Sequence, residues 1–355
     1  MRVWILSLVM AFAATTTAYA NTVGETHRQG TVASGVVRNA DHSTALRITV
    51  WYPAQGDAEE LPLDMGPPGR PFFVSGSAAN EAPFAQGRYP VILLSHGFGG
   101  TARMMGWFGT AMARAGYVVV AVDHPGNNGM DTMTAAGAML WWERAEDLKQ
   151  ALEVTGHDAV IGPHMDMSRL GVSGFSAGGF TTLVASGARV NIDRLLAFCK
   201  AHPADGVCEP QKEAPELTGE KGLKALKDPA LKPWVSQAGN DHSVPGVRAA
   251  FAMAPAIVQA LVPESLKAIP LRTSILLGDA DVVAPPSTNG VVAASLLPHA
   301  TMKTLPGVGH YDFLGQCTEA GREATPLCKI SQPQEPTHKA AIDAARALFD
   351  STLKQ

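Results

Sequence analysis

Between residues 89 and 306, short apolar runs bounded by turn residues alternate with segments whose polar and apolar positions fit amphipathic helices. A continuous apolar run is typical of a strand buried on both faces, and such runs separated by helices favour parallel pairing. The pattern therefore predicts a mostly parallel central sheet with helices on both faces. Predicted strands cover 89–96, 117–123, the run that starts at 169, 247–255, 274–278 and 301–306, and predicted helices cover the segment after Gly97 to Gly116, 141–154 and 336–353.

The pattern differs in two other stretches of the chain. Segments rich in Thr, Val and Arg at 30–38 and 46–53 predict antiparallel strands, and the Pro, Gly and Ala content of 54–88 predicts a loop. Residues 191–245 lose the alternation and are rich in Pro, Lys and Glu, which predicts a loop-rich insertion after the helix that follows residue 176. We expect residues 21–355 to form one domain that carries this insertion.

The first 20 residues have the features of a secretory signal peptide. Arg2 precedes an apolar stretch too short to span a bilayer, and Ala18-Tyr19-Ala20 fits the small-x-small cleavage pattern. We expect cleavage before Asn21 and a mature protein in the periplasm or outside the cell. No later stretch is long and apolar enough to predict a membrane anchor.

Composition narrows the possible partners. The chain has 355 residues, of which 46% are hydrophobic, so it can bury a large core. Its formal net charge is -4 and it has no long run of Lys and Arg, which argues against nucleic acid and anionic membranes as partners.

The four cysteines form two pairs that are close in sequence. In an oxidising compartment, this spacing favours the disulfides Cys199–Cys208 and Cys317–Cys328 among the three possible connectivities. A zinc site is disfavoured because the sequence contains no Cys-x-x-Cys.

A G-x-S-x-G motif, Gly174-Phe-Ser-Ala-Gly178, lies between a predicted strand and a predicted helix. In a nucleophile elbow the serine occupies a strained turn, and glycines two residues before and after it leave room for the close backbone approach. Ser176 is therefore the candidate nucleophile. Taken alone, the motif is equally compatible with a Gly-rich loop that has no chemical role.

A serine hydroxyl needs a base, and the base needs a carboxylate that orients it. On a parallel sheet of this kind, these groups follow strands in the order Ser, acid, His. His310 follows the predicted strand 301–306 and is the candidate base. Asp281 and Asp279 both follow the strand before it; Asp281 is favoured because its side chain can project past the strand end, and Asp279 remains an alternative.

Two backbone amides are candidates for stabilising an oxyanion. The amide of Ala177 follows the nucleophile directly, and the turn His96-Gly-Phe-Gly-Gly100 can present the amide of Phe98. The pair Trp141-Trp142 could line an acyl pocket or belong to the core.

The sequence carries no fingerprint of a cofactor. It has neither the dinucleotide-binding motif G-x-G-x-x-G nor the phosphate-binding motif G-x-x-x-x-G-K-[ST]. His124, His157 and His164 do not have the spacing of metal ligands, and we expect them to be loop or surface residues. We therefore expect neither a cofactor nor a metal.

Taken together, Leu94-Ser-His-Gly-Phe-Gly-Gly100, Val119-Val-Ala-Val-Asp-His124, Gly174-Phe-Ser-Ala-Gly-Gly179, Gly278-Asp-Ala-Asp281 and Gly309-His310 resemble the α/β-hydrolase superfamily. More narrowly, the chain resembles secreted bacterial proteins described as dienelactone-hydrolase-like, and it is similar to platelet-activating-factor acetylhydrolases. The resemblance covers residues 89 to 314. It implies Ser176 as nucleophile, Asp281 as acid and His310 as base, with the amides of Phe98 and Ala177 as oxyanion donors.

One departure from the family pattern affects the expected reaction. Dienelactone hydrolases use a cysteine nucleophile, whereas this elbow holds Ser176, which points to carboxylic esters. The acetylhydrolase likeness implies short acyl groups. Secreted polyester hydrolases resemble the same clan, but no motif here singles out a polymer.

We expect a secreted, monomeric serine carboxylesterase that acts on a small-molecule or lipid-like ester without a cofactor. Two alternatives remain open at this point. The same triad could hydrolyse amides, act as a peptidase or transfer acyl groups, or the chain could be a catalytically silent binding protein with the hydrolase fold.

Overall fold

The computed structural model describes residues 22–330 and 332–355, so the expected signal peptide (residues 1–20) lies outside the described residues. The strands are β1 (Thr22–Thr31), β2 (Ala45–Ala54), β3 (Leu61–Met65), β4 (Phe73–Asn80), β5 (Tyr89–Ser95), β6 (Val118–Asp123), β7 (Met165–Phe175), β8 (Val247–Met253), β9 (Arg272–Gly278), β10 (Ala300–Leu305) and β11 (Gln316–Cys317). The α-helices are α1 (Gly35–Arg38), α2 (Gly106–Arg114), α3 (Ala135–Met139), α4 (Glu143–His157), α5 (Ala177–Ala185), α6 (Ile192–Ala201), α7 (Gly219–Ala225), α8 (Lys232–Val235), α9 (Pro263–Lys267), α10 (Gly290–Leu296), α11 (Glu319–Ala324) and α12 (Glu335–Leu353).

The sheet is mixed and mostly parallel. Its strand order is β10-β9-β8-β7-β5-β6-β2-β1-β4-β11, with β3 paired to β4. The six strands from β10 to β6 in that order run parallel, and β2 joins β6 in the antiparallel sense. This arrangement confirms the predicted sheet.

Both faces of the parallel strands are buried. In β5, alternate side chains enter two separate cores, because successive residues of a strand point to opposite faces. Helices α4 and α5 cover one face, and α2 and α12 cover the other. The β5 residues Val91 and Leu93 pack on the first face with Leu148, Phe180 and Leu183, whereas Ile92 and Leu94 pack on the second with Phe108, Met112 and Phe349.

The predictions for residues 22–88 were partly wrong. Strand β2 lies where the pattern predicts it, but the first strand covers Thr22–Thr31, and α1 occupies much of the stretch predicted as a strand at 30–38. Two strands, β3 and β4, lie within the predicted loop at 54–88. Strand β1 buries polar residues whose partners are distant in sequence: the Glu25 carboxylate accepts a hydrogen bond from Trp51 Nε1 at 2.7 Å.

Residues 191–245 contain α6, α7 and α8 joined by loops and turns. The segment is attached to the rest of the molecule near both of its ends. At its start, the Asn191 amide donates to the Ala260 carbonyl at 2.8 Å. Near its end, His242 Nδ1 lies 2.9 Å from a carboxylate oxygen of Glu146 in α4.

All four cysteines form disulfides, in the pairing favoured by their spacing. Cys199–Cys208 joins α6 to the loop after it, with a Cα–Cα distance of 5.3 Å. Cys317–Cys328 joins β11 to the turn after α11, with a Cα–Cα distance of 5.7 Å. Within residues 22–330 and 332–355, none of the helices has the length and apolar character needed to cross a membrane.

Candidate active site

The turn between β7 and α5 places Ser176 in a conformation that is strained for a residue with a side chain. Ser176 has φ 57° and ψ -118°. A Cβ atom on Gly174 would overlap the backbone of Gly178, and a Cβ atom on Gly178 would overlap the carbonyl oxygen of Ser95. Only glycine fits these two positions, and the Ser176 amide is fixed by donating to the Met253 carbonyl at 2.9 Å. The sequence therefore builds the elbow geometry that the motif predicts.

Three side chains from three separate loops form one hydrogen-bond chain at the carboxyl ends of the strands. The Ser176 hydroxyl lies 2.8 Å from His310 Nε2, and His310 Nδ1 lies 2.6 Å from Asp281 Oδ2. A carboxylate only accepts hydrogen bonds, so Nδ1 carries the proton and Nε2 is free to accept one from the serine. The three residues are between 4% and 5% exposed.

The two candidate carboxylates have different surroundings. Asp281 accepts hydrogen bonds from the amides of Val283 and Ala284 through Oδ1, at 2.9 and 2.8 Å, which leaves Oδ2 directed at His310. Asp279 is exposed, and its Oδ1 accepts from the Gly307 amide at 2.6 Å. The structure thus brings Asp281, and not Asp279, to His310.

The turn after β5 lies against the elbow. A Cβ atom on Gly97 would be 3.1 Å from the Phe175 ring and 3.4 Å from Ser176 Cβ, so the two turns are in close contact. The Gly100 amide donates to the Gly97 carbonyl at 3.2 Å, which closes the turn around Phe98. Phe98 and Ala177 line the same cavity as Ser176, and neither of their amides donates a hydrogen bond to another described residue. Both amides are therefore free to donate a hydrogen bond to an oxyanion.

The buried guanidinium of Arg144 is hydrogen-bonded to the turn at 96–100. Arg144 in α4 is 2% exposed, and its nitrogens donate to Thr181 Oγ1 at 3.1 Å, to Ser95 Oγ at 3.3 Å and to the His96 carbonyl. It also donates to Asn127 Oδ1 at 3.1 Å, and the same oxygen accepts from the Gly99 amide at 3.1 Å. Burial lowers the pKa of Arg144 to about 9. The guanidinium ties the turn at 96–100 to α4 and α5.

A second hydrogen-bond chain adjoins Arg144. Ser95 Oγ lies 2.8 Å from His124 Nε2, and His124 Nδ1 lies 2.8 Å from Asp147 Oδ2. Arg38 donates to both carboxylate oxygens of Asp147, at 2.9 and 2.5 Å. Ser95, His124 and Asp147 are all 0% exposed.

Burial sets the charge state of this second chain. Burial and the nearby Arg144 charge lower the pKa of His124 to about 3, although Asp147 acts in the opposite direction. Burial raises the pKa of Asp147, but the charge and hydrogen bonds of Arg38 outweigh it and lower that pKa to about 2. At neutral pH this chain therefore holds a neutral imidazole between a serine and an ionised carboxylate.

The cavity beside Ser176 has a volume of about 90 Å³. The insertion forms one side of it and the elbow and α3 form the other, and most of the lining side chains are apolar. Both tryptophans of the pair Trp141-Trp142 pack in the core, and Trp141 also lines the cavity.

Sequence reasoning missed the residues that support the site. Arg144 and Asp147 read as polar positions of an amphipathic helix, and His124 as a loop or surface residue, yet all three are buried. The dipeptide Asp123-His124 at a strand end was the available signal. No group of three His, Cys, Asp or Glu residues in the described part of the chain is arranged to hold a metal ion.

Three known families or proteins are similar to this chain. A family model described as PET hydrolase-like matches residues 78–203, which include the turn at 96–100 and the elbow. A cutinase from Thermobifida alba, Cutinase est2, is 30% identical over 122 residues. That match covers 34% of this chain and 37% of the cutinase, so the chain spans just over a third of that relative.

A ferulic acid esterase from Streptomyces cinnamoneus has a similar structure, with a TM-score of 0.59 over 96% of this chain and 92% of the esterase. The sequence identity is 17%, so this likeness speaks for the fold alone. The chain has the α/β-hydrolase fold, as its motifs predict. These relatives do not bear on the narrower resemblance to dienelactone-hydrolase-like proteins, which stays a prediction.

Proposed function

We propose that this protein is a secreted serine carboxylesterase that hydrolyses short-chain acyl esters through an acyl-enzyme. The observation that carries the proposal is the chain of hydrogen bonds from Ser176 to His310, at 2.8 Å, and from His310 to Asp281, at 2.6 Å, at a strained elbow. The cutinase among the similar proteins favours ester substrates over amides.

In the acylation step, His310 Nε2 removes the Ser176 proton as Oγ attacks the ester carbonyl carbon. Asp281 holds the Nδ1 proton in place and stabilises the imidazolium that forms. The amides of Phe98 and Ala177 hold the oxyanion of the tetrahedral intermediate. The intermediate collapses when the C–O bond to the alcohol breaks and His310 gives its proton to the departing oxygen.

Deacylation repeats these steps with water in place of serine. His310 removes a proton from water, the resulting oxygen attacks the acyl carbon, and the Ser176 oxygen leaves with the proton from His310. The products are a carboxylic acid and the free enzyme. No step requires a group beyond the chain itself, the ester and water.

We also propose how the chain is organised, where it is located and in which oligomeric state it acts. The mature chain, 21–355, forms a single domain with 191–245 as an insertion beside the site. The signal-like residues 1–20 direct it to the periplasm or outside the cell, and two disulfides are compatible with an oxidising compartment. The protein acts as a monomer.

The test is turnover of 4-nitrophenyl acetate and butanoate by the mature protein and by Ser176→Ala. We expect the wild type to cleave both esters and the variant to lose about a thousandfold or more in kcat. Ser173→Ala is a matched control, because Ser173 is also buried and its Oγ has no hydrogen-bond partner within the described residues. A wild type as inactive as Ser176→Ala would contradict the proposal and favour a silent binding protein.

A further inference from the structure

We propose that the cavity beside Ser176 is the acyl subsite, and that the disulfide Cys199–Cys208 in its wall restricts it to short aliphatic acyl groups. This inference rests on the proposed esterase function and names the substrate class of the same site. It would distinguish this chain from the ferulic acid esterase of similar structure, whose name refers to an aromatic acid.

The lining of the cavity identifies which half of the ester it receives. Ser176 and both proposed oxyanion residues, Phe98 and Ala177, line it, so it opens at the point where the carbonyl carbon is attacked. The alcohol half must leave beside His310, which supplies its proton. Neither His310 nor Asp281 is among the described residues that line the cavity. The space therefore lies on the acyl side of the scissile bond.

The chemistry of the wall fits a hydrocarbon chain. The lining includes Ala138, Met139 and Trp141 and, from the insertion, Leu195 and the two half-cystines, Cys199 and Cys208. Three polar residues of the insertion, Glu209, Gln211 and Thr218, are the minority. Burying an apolar acyl chain against such a surface is favourable, because the chain leaves water. A polar group would find few hydrogen-bond partners there.

The volume of the cavity limits the size of the acyl group that it can hold. Its volume is about 90 Å³, whereas an apolar cavity of about 150 Å³ is known to take up benzene. An acyl chain of a few carbons fits, but a benzoyl ring or an eight-carbon chain requires the wall to move. The cavity thus predicts discrimination against aromatic and long acyl groups.

The insertion that forms this wall is attached at several points. The Arg194 side chain in α6 donates to the Leu261 carbonyl at 3.0 Å. The Thr288 hydroxyl donates to Asp205 at 2.8 Å, and the backbone at Gly206 packs tightly against the Val282 carbonyl, next to Asp281. These contacts hold the insertion against the segment after β8 and against the loop after β9, which carries Asp281.

Within that frame, the disulfide is the element that keeps the wall closed. It links Cys199 on α6 to Cys208 on the following loop, and both half-cystines line the cavity. Replacing it by two serines removes the covalent limit on how far helix and loop can separate. The second disulfide, Cys317–Cys328, lies in the opposite core and does not line the cavity, so it is a matched control.

The experiment compares kcat/KM for 4-nitrophenyl butanoate, octanoate and benzoate in three proteins. These are the wild type, Cys199→Ser/Cys208→Ser and Cys317→Ser/Cys328→Ser. For the wild type we expect butanoate to exceed each of the other two by about tenfold or more, a ratio typical of apolar pockets that reject extra carbons. In the first variant we expect that ratio to fall by about fivefold or more, and in the second we expect it to stay at the wild-type value.

Leu195→Ala serves if the first variant does not fold. It removes a side chain from the same wall and so enlarges the cavity without changing the disulfide. We expect the same fall in the ratio. A wild type that cleaves benzoate or octanoate as well as butanoate would overturn the inference. So would an equal change of the ratio in both disulfide variants. A wild type that cleaves none of the three esters would instead overturn the proposed function on which the inference rests.

Discussion

The molecule contains two Ser–His–Asp hydrogen-bond chains, Ser176–His310–Asp281 and Ser95–His124–Asp147 (hereafter the sealed chain). The serine oxygen lies 2.8 Å from the imidazole Nε2 in both. The distance from imidazole Nδ1 to carboxylate is 2.6 Å in the first and 2.8 Å in the second. By these distances alone, either serine could be the nucleophile.

Their surroundings differ in three respects. Ser176 occupies a strained turn that lines a cavity, whereas Ser95 ends strand β5 and is 0% exposed. Asp281 is held by two backbone amides, but Asp147 is held by the guanidinium of Arg38. Finally, the Ser95 oxygen already accepts a hydrogen bond from a second guanidinium.

A Ser–His–Asp hydrogen-bond chain does not by itself make its serine a nucleophile. Ester hydrolysis also needs space for the substrate and free amides for the oxyanion, and both lie beside Ser176. In the sealed chain, the same groups fix Ser95 and, through it, the strand end from which the turn at 96–100 starts. The proposed function therefore assigns the chemistry to the chain at Ser176 and a supporting role to the sealed chain.

The largest expected difference between the chains is in activity. Asp281→Asn should lower kcat by about 10⁴-fold, because an amide cannot hold His310 in the required tautomer, while the unfolding free energy changes little. Steady-state kinetics and urea unfolding measure the two quantities. Asp279→Asn is the control, since Asp279 contacts the Gly307 amide and not His310. Equal losses in the two variants would show that the acid has been assigned incorrectly.

The matching change in the sealed chain should act mainly on stability. Asp147→Asn leaves the guanidinium of Arg38, which is 1% exposed, without its carboxylate. Removing one partner of a buried ion pair costs about 3–5 kcal/mol of unfolding free energy. We expect this loss in urea unfolding, with a much smaller fall in kcat per folded molecule than in Asp281→Asn. Loss of activity with unchanged stability would contradict a supporting role.

Arg144 connects the two regions, so its replacement should have an intermediate effect. Arg144→Met removes the donors that hold the His96 carbonyl and Asn127, and a shift of the turn by about 1 Å can cost about 100-fold in rate. We expect kcat to fall by about 10- to 100-fold with little change in KM, because the loss falls on the oxyanion.

Arg144→Lys is the informative companion variant. It keeps the positive charge but loses the planar set of donors, so we expect it to resemble Arg144→Met rather than the wild type. Full activity in the lysine variant would show that charge, and not the geometry of the guanidinium, is what the turn requires.

The smallest predicted effect is the pH dependence of stability. Burial lowers the pKa of His124 to about 3, below the value of ~6.5 in an unfolded chain. As the pH falls, the unfolded chain therefore binds a proton at this imidazole before the folded protein does. Stability is therefore lost as pH falls below about 6.5, by about 1.4 kcal/mol per pH unit for this one group. His96 and His338, whose pKa values burial also lowers, act in the same direction. The raised pKa values of His27 and His242 act in the opposite direction.

Urea unfolding at pH 7 and pH 5 isolates the contribution of His124. In His124→Gln we expect the difference in unfolding free energy between the two pH values to be about 2 kcal/mol smaller than in the wild type. His157→Gln, at an exposed position, should leave the difference unchanged. An unchanged difference in His124→Gln would mean that this imidazole is not kept neutral by its burial.

The same contrast appears between the features that could be predicted from the sequence and those that could not. Strands β5 and β6 were predicted because both of their faces are apolar, and the elbow because glycine is the one residue that fits at 174 and 178. Strand β4 was predicted as a loop, since Phe73–Asn80 is made largely of small and polar residues with no apolar alternation.

The sealed chain could not be predicted from local pattern. Arg38 and Asp147 are 109 residues apart, and each alone reads as an exposed polar residue; only their pairing makes burial possible. The disulfide pairs, in contrast, are local in sequence, and the structure has the pairing that their spacing favoured. For these side chains, prediction succeeded where the signal is local and failed where a polar group depends on a distant partner.

The most direct test of the account is covalent labelling of the mature protein with a fluorophosphonate, followed by trypsin digestion and mass spectrometry. Cleavage after Arg and Lys places Ser176 in the peptide 170–189 and Ser95 in the peptide 89–103. We expect one phosphonate per molecule, on Ser176, with peptide 89–103 unmodified and labelling abolished by Ser176→Ala. A label on Ser95, or a fully folded protein that takes up none, would contradict it.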